Sequence, residues 1–348
     1  MTRPCARPLT AKREGYAFPM ALAAIIIITL VIGMAATQVE RAIETYTRQV
    51  SEFDRGIAVR SAEQTFLYHA LTSPMGNNGV EIGGASAIDR LFSTTAATGR
   101  DVTLLRANGT PLRYDDDLVV RYIDQQSFFD LSSLGAPGNA SRASALGIAP
   151  VRQNALQASL TDYQDGNDVR SPGGAEASFY DEDGMPPNRP LLHPLEICRV
   201  RGWREESVCA DPDRLLLLAM PRGTAQLNPR LASRPFLLHL TGSPSRAARA
   251  HEAYEALTYD NFTDIGHPEL DSSGDLLDVP TTATDRFALI VQDDEAESVS
   301  IAVYQLTPQN PNAPFSLAYR YRIGGEYVRN ALETSQDEQI QPLPEAGQ

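Results

Sequence analysis

Lys12 to Thr37 reads KREGYAFPMALAAIIIITLVIGMAAT, and its reading decides how the rest of the chain is arranged. Ala17 to Thr37 contains no charged side chain, and Ile25 to Ile28 form an unbroken aliphatic block. Roughly 20 such residues, rising about 1.5 Å each in a helix, cross a hydrocarbon core of about 30 Å. A secretory signal has a shorter apolar region followed by a small-x-small cleavage site. Ala35-Ala36-Thr37 imitates that site, so a cleaved signal is the alternative to a retained anchor. Arg3, Arg7, Lys12 and Arg13 outweigh Glu14 ahead of the apolar run, which places this end on the cytoplasmic side by the positive-inside rule.

Helical periodicity continues past Thr37. Ile43, Tyr46, Val50, Phe53 and Ile57 recur at three- and four-residue steps, and Ala62, Phe66 and Ala70 extend that face. Glu40, Arg41, Glu44, Arg48, Glu52 and Arg60 fill the other side. The spacing predicts an amphipathic continuation of the membrane helix to about Leu71, a stalk rather than a flexible linker.

The 348 residues suffice for a sizeable core, and their net charge is −14. The basic leader holds +3 of that, so the remainder is at −17 (−14 less +3). An acidic exterior of this kind excludes nucleic acid as a partner, because phosphate contacts need clustered Lys and Arg. Three cysteines occur, Cys5 in the leader and Cys198 and Cys209 further on. In an oxidising compartment Cys198 and Cys209 can close a small loop worth about 3 kcal/mol. The alternative is two unrelated thiols.

Strand signals appear at Val102–Arg106 and Leu118–Ile123, with a turn expected at Asn108-Gly109. From about Ser127 to Tyr259 the pattern is helical and broken by Gly and Pro: Ala155–Tyr163, Pro194–Arg201, Pro212–Ala219, Asn228–Leu240 and Arg246–Leu257. Strands return at Phe287–Gln292, Ser298–Gln305 and Phe315–Ile323. Strands on both sides of a helical block predict an α domain inserted into an α+β unit. The tail from Glu333, rich in Glu, Gln and Pro, has the composition of a disordered segment.

Leu160 to Pro190, LTDYQDGNDVRSPGGAEASFYDEDGMPPNRP, concentrates Asp162, Asp165, Asp168, Glu176, Asp181, Glu182 and Asp183 among four glycines. Hard oxygen ligands on a Gly-containing loop suit Ca2+, which accepts six to eight oxygens in irregular geometry. The spacing is not that of an EF-hand, and a solvated acidic loop is the alternative. Asp271 to Asp278, DSSGDLLD, is a second oxygen-rich loop that turn chemistry explains equally well. Enzymatic signatures are weak. His69, His193, His239, His251 and His267 are scattered, and HEAYE at His251 lacks the second His of a zinc-protease motif. There is no G-x-S-x-G elbow and no P-loop, and Trp203 reads as a packing residue.

The basic leader, Gly15, Tyr16, apolar run and amphipathic helix together resemble a class III prepilin signal. A second stretch narrows the resemblance to the minor pseudopilin K family of type II secretion. In it a helix leads into Asp162-x-x-Asp165, then Arg170, Gly174-Ala175-Glu176 and Tyr180, followed by a turn at Asn188-Arg189-Pro190 and an E-x-x-x-x-x-G helix end from Glu196 to Gly202. Leu227-Asn228-Pro229 matches a further family segment in part, and Ile123 to Ser133 is an eroded version of another. The resemblance implies that prepilin peptidase cuts between Gly15 and Tyr16 and that Tyr16 becomes a methylated N-terminus. Pilins generally carry Glu at the fifth mature position. Met20 stands there here, as is usual in the K family.

The resemblance also implies a non-enzymatic, pilin-like fold of the α+β class: a long N-terminal helix on a small antiparallel sheet, with a large inserted α-helical domain. The boundaries expected are 1–15 for the leader, 16–72 for the stalk helix, 73–126 and 261–330 for the pilin-like part, 127–260 for the insertion and 331–348 for a disordered tail. Calcium is implied in the insertion, with Asp165, Asp168 and Glu176 as ligands and Asp162 and Asp181 behind them. The implied setting is the bacterial inner membrane, single-pass, with the soluble part in the periplasm. Implied partners are other minor pseudopilins at a fibre tip, prepilin peptidase, the secretin and exported proteins. A type IV pilus minor pilin and an anchored periplasmic hydrolase are the alternatives.

Overall fold

The computed structural model describes residues 17–76, 78–83, 103–115, 117–133, 144, 146–222, 228, 231–255, 283–293, 298–332 and 340–346. The leader, Gly15, Tyr16, His267 and the Asp271–Asp278 loop lie outside the described residues. The chain divides into two compact units, 1–58 and 59–348.

One helix, α1 (Ala17–Thr72), supplies the described part of the first unit and the start of the second. Its apolar portion is long and apolar enough to cross a membrane, and within the chain none of that window is buried. Ile25 to Ile28 stay more than half exposed because nothing among the described residues of their unit covers them. The same holds for Ile43, Tyr46, Phe53 and Ile57, so this helical face is apolar and open.

In the second unit β-branched and aromatic runs build a six-stranded sheet. Among the described residues the strands of the unit, six of them in this sheet, are β1 (Gly79–Ile82), β2 (Thr103–Arg106), β3 (Asn108–Asp115), β4 (Leu118–Asp124), β5 (Phe129–Asp130), β6 (Ala219–Met220), β7 (Arg286–Asp293), β8 (Ser298–Leu306), β9 (Phe315–Gly324) and β10 (Gln341–Pro342). The main sheet has the order β10-β3-β4-β7-β8-β9; β1 pairs with β2, and β5 with β6. Every neighbour in the main sheet is antiparallel except β10, which runs parallel to β3. The fold is therefore α+β, with a long N-terminal helix and an antiparallel-rich sheet.

Period-two alternation gives this sheet two buried faces. The start of the second unit, the end of α1, covers one of them. Phe66 packs against Tyr122 and Phe287, with ring centroids 4.9 and 5.6 Å away. Glu63 meets Arg320 and Tyr304 on the same face. The opposite face presents Ile123, Ala288, Ile290, Ile301, Val303 and Ile323 to Leu216, Leu217, Met220 and Val328.

The helical block between the strands contains α2 (Pro150–Gln164), α3 (Ser207–Ala210), α4 (Pro212–Leu218), α5 (Arg234–Thr241) and α6 (Pro244–Glu255), together with four 3-10 turns from Leu131 to Glu205. It has its own core around Trp203, Tyr163, Phe129 and Phe236. Trp203 is 1 % exposed, and its indole N–H donates to the Leu156 carbonyl at 2.9 Å, which satisfies the polar end of a packing residue. The block is not set off as a unit of its own, since residues 59–348 cluster together.

Three local differences from the sequence reading have physical causes. Asn108 and Gly109 begin β3 instead of forming the turn, which falls at Ala107. Asn108 Oδ1 accepts from the Thr110 amide and hydroxyl, Gly109 takes φ +86°, and the β3–β4 register shifts between Asn108 and Pro111: a bulge absorbs the turn residues. The stretch after Pro74, MGNNGVEIGGAS, reads as a loop from its Gly and Asn content, yet it contains β1, because Gly79 to Ile82 pair with β2 far along the chain. The tail expected to be disordered is in part ordered. Residues up to Leu332 form α7 (Gly325–Leu332), and β10 joins β3 with the Leu343 amide donating to the Arg113 carbonyl at 2.7 Å. Leu343 is buried, and His69 Nε2 donates to the Pro344 carbonyl at 2.9 Å. Composition misses this, because a few long-range contacts outweigh a polar, Pro-rich average.

Candidate metal centre

The acidic segment begins at the C-terminal end of α2. Asp162 is in its last turn and fully buried, while Asp165 is its C-cap. Beyond Asp165 the chain turns back by short side-chain-to-backbone bonds. Asp165 Oδ1 accepts from the Asn167 amide at 3.2 Å, and Asn167 Oδ1 from the Val169 amide at 2.8 Å. Such Asx turns are what Asp and Asn favour after a helix. The Ser171 amide then donates to both Asp162 oxygens at 3.1 Å. The Gly174 amide donates to the Ser171 carbonyl at 2.9 Å.

Gly174 is required by the closeness of this return. A Cβ there would lie 2.1 Å from Asp162 Oδ2 and 3.0 Å from the Ala158 carbonyl oxygen. Gly173, at φ +86°, makes the bend that brings it in. The next residues, Ala175 and Glu176, are carried under the end of α2.

There Asp162, Asp165 and Glu176 each offer an oxygen within 4.8 Å of the others. Glu176 is 6 % exposed, and neither of its carboxylate oxygens has a hydrogen-bond partner. Burial, then the charges of Asp162, Asp165 and Asp168, push its carboxyl above the usual range. A buried carboxylate without donors and among like charges is unfavourable unless a proton or a cation balances it. The donors are all hard oxygens, the set a Ca2+ ion prefers over softer metals. The residues present therefore fit a divalent hard cation.

The remaining sequence candidates fall elsewhere. Asp168 is exposed and accepts a 3.5 Å hydrogen bond from Asn188 Nδ2; Asp181 is exposed as well. Neither belongs to the group of three. Asn188 has a positive φ of 49°, and its Oδ1 is buried without a partner. In the sequence Asn188 stands out only through Asn188-Arg189-Pro190 of the family resemblance, and nothing in its neighbours signals an orphaned oxygen. Cys198 and Cys209 form a disulfide, with Cα atoms 5.7 Å apart. It ties the 3-10 turn Pro194–Arg199 to α3.

Glu196 organises the floor of this region. It accepts from the Leu192 amide at 2.8 Å and from Tyr163 at 3.1 Å, and pairs with Arg189 at 2.8 Å. Although burial opposes it, these donors hold its carboxyl below the usual range. His193 caps the turn Pro194–Arg199 through the Leu195 amide and stands edge-on to Tyr319 and Tyr321, a structural use of the ring.

No protein-family model matches the sequence, and no curated protein does. Among solved structures the chain is similar to one from the GspK-GspI-GspJ complex of the enterotoxigenic Escherichia coli type 2 secretion system. The two are 16% identical, with 79% of this chain and 98% of that chain covered and a TM-score of 0.45. A score of that size leaves the functional reading to the residues themselves.

Proposed function

We propose that this chain is a non-catalytic minor pseudopilin. It would be held in the bacterial inner membrane by α1 with its soluble part in the periplasm, and would sit at the tip of a type II secretion pseudopilus. There it would help start the fibre that exports folded proteins through the outer membrane. The observation that carries the reading is α1 itself. One helix contributes an uncovered apolar stretch of membrane-spanning length and ends, through Glu63 and Phe66, against a sheet. An anchor needs only the first of these. A fibre subunit needs both, because the apolar face of Ile43, Tyr46, Phe53 and Ile57 then has neighbouring helices to pack on. The leader pattern ahead of it and Met20 at the fifth mature position support the same reading. A subunit without that Glu has no carboxylate to pair with a neighbour's terminal amine in the bilayer, where an unpaired charge is costly.

We also propose that Ca2+ is held by Asp162, Asp165 and Glu176, with Asp168 supplying charge from outside. Bound there, the ion would cross-link the end of α2 to the returning loop and offset the repulsion among the carboxylates.

Mass spectrometry of the mature N-terminus tests the main reading. A chain that begins at a methylated Tyr16 supports it, whereas one that begins near Thr37 overturns it. Co-purification with the other minor pseudopilins of the same secretion system tests the tip role; absence of any complex would end it. Calorimetric titration with Ca2+ tests the metal, and no heat together with an unchanged melting temperature refutes it.

A further inference from the structure

Strand β9 is the last strand on its side of the main sheet, and among the described residues it pairs with β8 alone. It is 10 residues long and free of proline, and the devices that blunt it are its charged side chains, Arg320 and Arg322, and a register irregularity confined to the stretch before Tyr319. One end is secured from α4. The Gly324 amide donates to Asp213 Oδ2 at 3.1 Å, and the Tyr321 hydroxyl to the Leu216 carbonyl at 2.5 Å.

That first bond fixes the direction of the rest. The Gly324 N–H points away from β8, and antiparallel ladders alternate inward and outward groups. The register Gly324↔Ser298, Arg322↔Ser300, Arg320↔Ala302 runs without a shift. The N–H and C=O groups of Arg322 and Arg320 therefore face away from β8 as well.

The side chains on this edge are selective. Arg320 is engaged by Glu63, while Arg322 is exposed and meets no carboxylate among the described residues. Pairing of two copies along β9 would bring these arginines together, and like charges across strands destabilise a ladder. An acidic strand reverses that sign.

We propose that the β9 edge from Tyr319 to Gly324 docks an extended acidic segment of a partner polypeptide as an additional strand. Main-chain hydrogen bonds to Arg320 and Arg322 supply affinity, and Arg322 supplies the charge preference. This docking edge lies apart from the acidic centre and from the apolar helix face, and it stands whether or not the chain is a pseudopilin.

The test is fluorescence anisotropy with the full chain in detergent. The probe is a labelled peptide of alternating Glu and Val, compared with its Lys–Val counterpart and with a Glu–Val peptide N-methylated at alternate residues. The Glu–Val peptide is expected to bind and the other two to bind at least roughly tenfold more weakly, since N-methylation removes the ladder bonds. Arg322→Gln should weaken Glu–Val binding roughly threefold, and Arg322→Glu roughly tenfold. An unchanged melting temperature of both variants shows that they fold. The proposal is overturned if no Glu–Val binding is seen, if the N-methylated peptide binds equally well, if Arg322→Glu leaves binding unchanged, or if β9 instead pairs two copies of this chain in solution.

Discussion

Glu63 and Arg320 face each other as a two-pronged ion pair between the end of α1 and the edge strand β9, with N–O distances of 2.8 and 2.6 Å. Tyr304 donates its hydroxyl to Glu63 at 2.9 Å, so the carboxylate has three donors. The Glu63 side chain is 2 % exposed and that of Arg320 33 %. Burial of this kind yields little net stability while the pair is intact, but loss of one partner strands a charge.

Glu63→Ala should therefore destabilise the second unit by about 3 kcal/mol, the low end for a broken buried pair because Arg320 retains water contact. Joint replacement with Arg320→Met should recover part of that loss. Chemical denaturation of the full chain in detergent measures both. A cost below about 0.5 kcal/mol for Glu63→Ala would mean that the pair does not seat the helix on the sheet.

A second buried acid titrates where it can be followed. Asp124 is fully buried and accepts from the Gln126 amide, the Thr284 amide and the Thr284 hydroxyl, at 2.9, 2.6 and 2.9 Å. Burial outweighs these donors and raises its carboxyl from 3.8 to about 6. The folded state thus holds the proton more tightly than the unfolded chain. The resulting stability is complete below about pH 4 and is lost as pH rises through about 6, an effect of about 3 kcal/mol. The melting-temperature difference between wild type and Asp124→Asn should shift against the wild type across that window. A difference that stays flat would mean that Asp124 ionises normally.

What could be read from the sequence follows how local the cause is. The helix α1 and strands β7 to β9 announce themselves through local pattern, apolar residues at helical spacing in the first and short apolar and aromatic runs in the others. β10 and the ordered tail do not, since they depend on Leu343 and on His69 reaching Pro344 across the sequence. At the acidic centre residue type points to seven carboxylates from Asp162 to Asp183, and the family resemblance to Asp165, Asp168 and Glu176 with Asp162 and Asp181 behind them; the structure groups Asp162, Asp165 and Glu176. What separates them from the exposed Asp168 and Asp181 is the close return of Gly174 onto α2, a tertiary fact. Asn188 could not be singled out for the same reason.

The disulfide gives a prediction that depends on chain entropy. Cys198 and Cys209 are 11 residues apart, and closing a loop of that size removes unfolded-state freedom worth about 3 kcal/mol. The double replacement by Ser, or reduction of the wild type, should lower denaturant stability by that order. Equal stability of oxidised and reduced protein would show that the packing of Ile197 and Val208 alone holds this corner.

The acidic centre yields two substitutions with opposite effects on the metal-free protein. Glu176→Gln removes one of several crowded charges while keeping the shape, so the calcium-free protein should melt higher than wild type and gain nothing from added Ca2+. Gly174→Ala pushes a methyl group into Asp162, 2.1 Å from Oδ2, and against the backbone of α2. It should cost about 1–3 kcal/mol without calcium and also abolish the response to it. Thermal melts of both variants with and without Ca2+ decide the matter. If Glu176→Gln instead melts lower than wild type in the absence of calcium, repulsion does not dominate there and a cation is not what the pocket lacks. If Gly174→Ala keeps a full calcium response, the close return of the loop onto Asp162 is not part of the site.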